Sequence, residues 1–348
     1  MTGTITHGTL IMLLTGAGAC ALVVPLRRWS IRTGLLAMPN SRSSHHQPIP
    51  LGGGLSFVVP ITLAWLVNAV QQSDLALAAM AVLGLLLSTI GYVDDLCTVR
   101  PTIRLCAQFL ASGTMVWIVL RNPECEWSIG CLAFAVAAIF ALTWHSNLFN
   151  FMDGINGIAA VEGVFIGVGG ILVVTWNDSI SPLTPALAAL VGGLIGFLPW
   201  NAPQARIFMG DAGSTWLGFV VAALALQDSI RTPDHLSAWL ILPALFVTDA
   251  TVCVIRRLWR GERLTAGHRA HGYQNLARQL GSHGRVVAIF LTCNVCILGA
   301  TWLSLRHAHW AWAIVTAVYV AAVVAALIAK SGVHGVADPE TRKAMGVE

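Results

Sequence analysis

Eleven apolar runs set the limits on what this chain can fold into. They lie near residues 8–26, 54–70, 75–93, 103–120, 129–146, 155–176, 182–200, 213–227, 236–255, 286–304 and 310–329. Each approaches the ~20 residues that a helix needs to cross a hydrocarbon core about 30 Å thick. Lipid offers backbone groups no water partners, so such runs form helices and not open sheet. Only 10% of the residues are charged, against roughly 25% in soluble domains. The fold class expected is therefore an all-α polytopic membrane protein with about eleven transmembrane helices.

Orientation follows from where Lys and Arg fall. The side reached after the odd-numbered runs carries seventeen of them, including Arg27, Arg28, Arg32, Arg100, Arg104, Arg206, Arg256, Arg257 and Lys330. The other side carries only Arg121, Arg231 and Arg306. The positive-inside rule makes the first side cytoplasmic, with the amino terminus outside and the carboxyl terminus inside. A net charge of +4 is explained by that membrane-apposed basic face and calls for no nucleic acid. Most of the eight cysteines fall inside apolar runs, which favours packing over a disulfide framework. The first run lacks the flanks of a cleaved signal peptide, so a retained span is expected there.

The polar chemistry is concentrated in a few stretches. NLFNFMDGING, residues 147–157, sets Asp153 among Asn147, Asn150 and Asn156 between two apolar runs. A charge at membrane depth costs on the order of 3 kcal/mol, so Asp153 should face a polar cavity or a partner. Residues 38–54 contain His45 and a Gly52–Gly54 triplet whose N–H groups could meet an anion. Asp94 and Asp95 end the third run, and adjacent carboxylates repel unless a cation or proton intervenes. They point in different directions, so one can face a site while the other caps or pairs with Arg100 or Arg104. Asp211, between Gly210 and Gly213, opens the eighth run, where a helix amino terminus would suit phosphate. His268, Arg269 and His271 follow the ninth run, the two histidines spaced to share a helical face.

All of these stretches fall on the side assigned to the cytoplasm, while the outer loops are short and plain. Carboxylates with histidine, arginine and glycine-rich backbone suit Mg²⁺ or Mn²⁺ and phosphate better than a soft metal. That is equipment for phosphoryl transfer. A second class is an ion-coupled secondary transporter, which would place charges at mid-span and show pseudo-symmetric repeats. Here the acids sit at helix ends and no repeat is evident.

HHQPIPLGGG, GYVDDL, NLFNFMDGINGIA, FMGDAGS and HRAH, in that order between Met38 and Gln274, resemble the signatures of the polyprenyl-phosphate N-acetylhexosamine-1-phosphate transferases. The HRAHGYQ and FMDG forms are similar to the O-antigen-initiating branch. Two positions depart from the pattern: Ala37 and Asn156 stand where the family often has aspartate. The resemblance implies a single catalytic domain over residues 1–330, with active-site loops 27–53, 94–102, 147–154, 201–212 and 256–285, and a cytoplasmic tail over 331–348. It implies an enzyme of the bacterial cytoplasmic (inner) membrane that passes sugar-1-phosphate from a UDP-N-acetylhexosamine to undecaprenyl phosphate. Asp211 with Asp153 would hold Mg²⁺, or Mn²⁺ in its place. Asp94, supported by Asp95, would orient or deprotonate the lipid phosphate. Asn147, Asn150, Asn156, His45, Gly52, Gly53, His268, Arg269 and His271 would contact substrate, and Phe149 or Phe151 would stack on uracil. Membrane lipids are expected neighbours, and a homodimer is compatible with the sequence.

Overall fold

A computed structural model describes residues 2–39, 47–121, 128–176, 181–262 and 269–334, with side chains from residue 7. Among the described residues the chain is helical except for a two-stranded antiparallel ladder. The long helices are α1 (Thr2–Thr33), α2 (Leu55–Gln72), α3 (Leu75–Leu96), α4 (Pro101–Leu120), α5 (Ile129–Met152), α6 (Ile158–Val174), α7 (Thr184–Asn201) and α8 (Gly210–Arg231). The short α9 (Leu236–Ile241) leads into α10 (Ala244–Trp259), followed by α11 (Gly272–Leu280), α12 (His283–Arg306) and α13 (Ala311–Ile328). Strands β1 (Leu36–Ala37) and β2 (Ile49–Pro50) pair Leu36 with Pro50.

Local chemistry sets the helix ends. The Asp74 carboxylate accepts from the Leu77 N–H at 2.9 Å and starts α3, while Ser128 caps α5 and Ser282 caps α12 in the same way. Pro101 occupies the first turn of α4, where no N–H is needed. Each apolar run contains helix, but the ninth is broken. Pro243, which has no N–H to give, separates α9 from α10, and the two are bent by 64°. Among the described residues eight helices are long and apolar enough to cross a membrane, or nine if that bent pair is one span, against the eleven expected. The two that fall short are α6, with 17 residues, and α8, which carries Asp211, Asp228 and Arg231.

Helices α7 and α8 form the centre. Trp216 of α8 stacks on Trp65 of α2 with centroids 5.4 Å apart, and Trp65 donates to the Ala186 carbonyl of α7 at 2.9 Å. Small residues permit the closest crossings: a Cβ at Gly196 of α7 would strike the Gly16 carbonyl of α1, and one at Gly218 of α8 the His145 carbonyl of α5. Gly299 of α12, by contrast, faces open space. Gly196→Ala is therefore expected to lower the melting temperature of the detergent-solubilised protein by an overpacking cost of about 2 kcal/mol. Gly299→Ala should raise it through helix propensity, worth about 1 kcal/mol.

The first residues of the segment expected to be a cytoplasmic tail pack onto the bundle. Ser331 is fully buried and donates to Asp249 of α10, and the Ser331 carbonyl accepts from Arg256 at 2.8 Å. Residues 335–348 lie outside the described residues.

Candidate active site

Three helix ends and one loop meet at one end of the bundle. Helix α3 ends beside Asp94 and Asp95, α5 ends at Asp153, and the segment after α7 turns at Gly210 into α8. Glycine allows the contact. A Cβ at Gly91 would strike the Asp211 carbonyl, and Gly210, at φ +72°, would strike the Asp95 carboxylate if it carried one. Asp95 accepts from the Asp211 N–H at 3.1 Å and approaches the Ala212 N–H at 3.5 Å. The amino terminus of α8, expected to receive phosphate, is thus capped by a carboxylate from α3.

Asp211 is held on both oxygens. Arg104 of α4 donates to Oδ2 at 2.9 Å, and Asn150 of α5 donates to Oδ1 at 2.8 Å and to Ser214 at 3.1 Å. Arg104 also grips Asp94, whose other oxygen accepts from the Val99 N–H at 2.7 Å. One arginine therefore ties Asp94 to Asp211 across three helices. Of the adjacent pair, Asp95 lines the cavity, and Asp94 is the paired residue.

Asp153 is different. It lines a cavity of about 250 Å³ with Asp95, Asp211, Asn150, Ser214 and Gln274. Its carboxylate makes no hydrogen bond or ion pair among the described residues. Burial, together with the nearby Asp211 and Asp95, pushes this carboxyl well above the usual carboxylate range. Among the described residues no cation is paired with this carboxyl.

Other expected site residues fall elsewhere. Asn147 turns to Gln108 of α4 at 2.7 Å, and Asn156 donates to the Pro203 carbonyl at 3.1 Å, so both brace structure outside the cavity. The Gly53 and Gly54 N–H groups donate to the Phe208 and Met209 carbonyls, so they are not open to an anion. Gly52 supplies the positive φ of that turn, at +83°. Phe149 is fully buried against Phe246 and cannot stack on a base; Phe151 packs against His271 with centroids 6.1 Å apart. His271 precedes α11 in extended conformation and is not itself part of a helix. Neither His271 nor Arg269 lines the cavity. His45 and His268 lie outside the described residues.

Asp249 of α10 accepts from the Gly272 and Tyr273 N–H groups at 2.8 and 2.9 Å and caps α11. That cap holds Gln274 at the cavity, where Gly154 leaves it room. Gln274 and Ser214 were not expected, since single polar residues carry no spacing signal. Ala37 also lines the cavity, so this part of its wall carries no acid.

Burial, with Arg257 nearby, pushes the His271 imidazole down to about 3. An unfolded histidine titrates near 6.5. The folded state therefore rejects a proton that the unfolded state accepts. This contribution to stability is complete above the unfolded pKa and is lost as pH falls towards 3, at up to ~1.4 kcal/mol per pH unit. The difference in melting temperature between His271→Asn and wild type should therefore move in the variant's favour as pH falls from about 7 to about 5.

The donor set fits a hard divalent cation. No three His, Cys, Asp or Glu side chains among the described residues converge closely enough to hold an ion by themselves. Mg²⁺ commonly uses one or two carboxylates and takes its remaining ligands from water and substrate phosphates. Asp153, uncompensated and facing Asp211 across the cavity, supplies that arrangement.

An all-helical membrane protein with such an acidic, one-ended cavity belongs in structural terms with enzymes that handle phosphate at a membrane. The comparisons agree. The sequence pattern of glycosyl transferase family 4 matches residues 77–228. A phospho-N-acetylmuramoyl-pentapeptide-transferase of Synechococcus elongatus is 30% identical over 318 residues, covering 81% of this chain and 82% of that protein. The decaprenyl-phosphate N-acetylglucosaminephosphotransferase of Mycobacterium tuberculosis is 28% identical over 314 residues, covering 79% and 77%. A Bacillus subtilis protein named as a probable undecaprenyl-phosphate N-acetylglucosaminyl 1-phosphate transferase is 24% identical over 307 residues, covering 82% and 84%. This chain belongs to the polyprenyl-phosphate sugar-phosphate transferases of glycosyl transferase family 4.

Proposed function

We propose that this protein transfers an N-acetylhexosamine-1-phosphate from a UDP-sugar to undecaprenyl phosphate, releasing UMP and forming the first lipid-linked sugar of O-antigen or a related surface polysaccharide. The uncompensated Asp153 in the cavity shared with Asp95 and Asp211 carries this reading. An oxygen of the lipid phosphate attacks the β-phosphorus of the sugar nucleotide, and the bond to UMP breaks. Asp153 and Asp211 would hold Mg²⁺, which when bound supplies the positive charge that a diphosphate requires as its leaving group develops.

The remaining residues position these two. Asp95 fixes the first turn of α8 and so aims Asp211. Arg104 and Asn150 orient its two oxygens, and Asp94 anchors Arg104. The lipid phosphate is largely ionised near neutrality, its second pKa being about 6, so it needs orientation more than deprotonation. Asn150, Ser214 and Gln274 offer neutral donors on the cavity wall. The charge asymmetry of the loops supports eleven spans, counting α6, α8 and the bent pair, with the amino terminus outside and the cavity facing the cytoplasm of the inner membrane.

Purified protein given undecaprenyl phosphate, Mg²⁺ and a panel of radiolabelled UDP-N-acetylhexosamines should yield a butanol-extractable sugar lipid and stoichiometric UMP. Chelation with EDTA should stop the reaction, and Mg²⁺ or Mn²⁺ should restore it. UDP in place of UMP would mean that sugar alone is transferred, and no sugar lipid from any donor would refute the reading.

A further inference from the structure

At the opposite end of the same helices a second cavity, of about 340 Å³, opens between the start of α3 and the ends of α4 and α8. Its walls include Arg121, Arg231, Gln227, Ile118, Ile230 and Ala76. Gln227 lies far along α8 from Asp211, ~24 Å at the helical rise, so this cavity is separate from the acidic one. Arg121 and Arg231 are two of the three cations that the loop pattern assigns to this side of the membrane, and both meet here.

Their fixed partners leave most of their donors available. Asp74 caps α3 with one oxygen and takes a guanidinium N–H of Arg231 on the other at 2.7 Å. A guanidinium has five N–H donors, and no other acceptor engages Arg231 among the described residues. Arg121 makes no hydrogen bond among the described residues and lies over the Trp117 ring at 5.8 Å. Among the described residues lining the cavity the charged side chains are Arg121 and Arg231, both cationic. Gln227 is 2% exposed, and its Oε1, in this wall, has no partner among the described residues. A buried acceptor left unsatisfied costs about 1–3 kcal/mol, so a ligand carrying a donor would relieve it. Trp117 is 54% exposed at the end of α4, as an aromatic at the lipid interface would be.

We propose that this cavity binds the headgroup of an anionic glycerophospholipid. Its phosphodiester lies between Arg121 and Arg231, a headgroup hydroxyl donates to Gln227 Oε1, and its acyl chains run along Ile118 and Ile230. Two oxyanion-binding arginines, a neutral acceptor for a hydroxyl and an apolar wall together describe phosphatidylglycerol better than a soluble anion.

The test is native mass spectrometry of the purified full-length protein, exchanged into detergent containing equal amounts of phosphatidylglycerol and phosphatidylcholine. Wild type should retain phosphatidylglycerol in preference. Arg121→Gln should reduce that retention about fivefold and Arg121→Glu about thirtyfold, the weights of removing and of reversing one charge near a lipid surface. Arg121→Lys, which keeps the charge, should stay near wild type and shows that any loss is not misfolding. Equal retention of the two lipids, or unchanged retention in Arg121→Glu, would overturn the proposal. Displacement of the lipid by millimolar inorganic phosphate would assign the cavity to a soluble anion and would overturn it as well.

Discussion

Asp153→Asn is expected to lower turnover by about a thousandfold, the scale on which removal of a single preorganised electrostatic group acts, and at the same time to raise the melting temperature. The two effects share a cause. Asp153 lines the cavity with no hydrogen bond or ion pair for its carboxylate among the described residues, and Asp95 and Asp211 lie close enough to raise its proton affinity. In the absence of metal the fold holds this acid by keeping a proton on it that the unfolded chain releases, which costs stability near neutral pH. Asparagine keeps the shape and removes the repulsion, so the folded state should gain about 1–2 kcal/mol. Gain of stability with loss of activity is what a residue kept for function produces. Thermal melting in EDTA, alongside the sugar-lipid assay, reads both quantities; a dead variant that also melts lower would make Asp153 structural.

Asp211→Asn should be equally inactive but less stable. Both Asp211 oxygens are used, Oδ2 by Arg104 and Oδ1 by Asn150, and Arg104 leans on Asp94 as well. Asparagine keeps one acceptor and turns the other into a donor facing the Arg104 guanidinium, so a charge-assisted bond worth about 1.5–3 kcal/mol is lost. Because Arg104 is partly exposed, the net cost should lie towards the lower end of that range. Opposite shifts in melting temperature for two aspartates on the same cavity separate the carboxylate that the fold pairs with a cation from the one it leaves without a partner among the described residues. Near-normal turnover in Asp211→Asn would remove it from the metal-holding role.

Much of the fold was legible because each helix needs an apolar run of a particular length, and length survives in the sequence. What escaped were long-range events. The break at Pro243 lay inside a run whose hydropathy was continuous, and α8 reads as a span although its buried face carries Ser214, Gln227 and Asp228. In the site, the sequence showed that Asp94 and Asp95 must diverge but not which faces the cavity, because helix rotation is set by packing at Gly91 and Gly210. The same holds for Asn147 and Asn150, one turn apart on α5: the first turns to Gln108 and the second to Asp211. The glycine triplet at 52–54 has the composition of an anion cradle, yet the Gly53 and Gly54 N–H groups pair with residues 208 and 209, a contact far away in the chain. Asp249 and Tyr273 bring Gln274 to the cavity by capping and packing α11, and nothing in their spacing announces it.

Electron paramagnetic resonance of Mn²⁺ titrated into the detergent-solubilised protein, with and without a UDP-N-acetylhexosamine, bears most directly on the acidic cavity. Wild type should immobilise one Mn²⁺ per chain more tightly with the sugar nucleotide present, and Asp153→Asn should immobilise none at the same concentrations. A bound-Mn²⁺ signal of equal strength in Asp153→Asn would place the ion elsewhere and contradict the account.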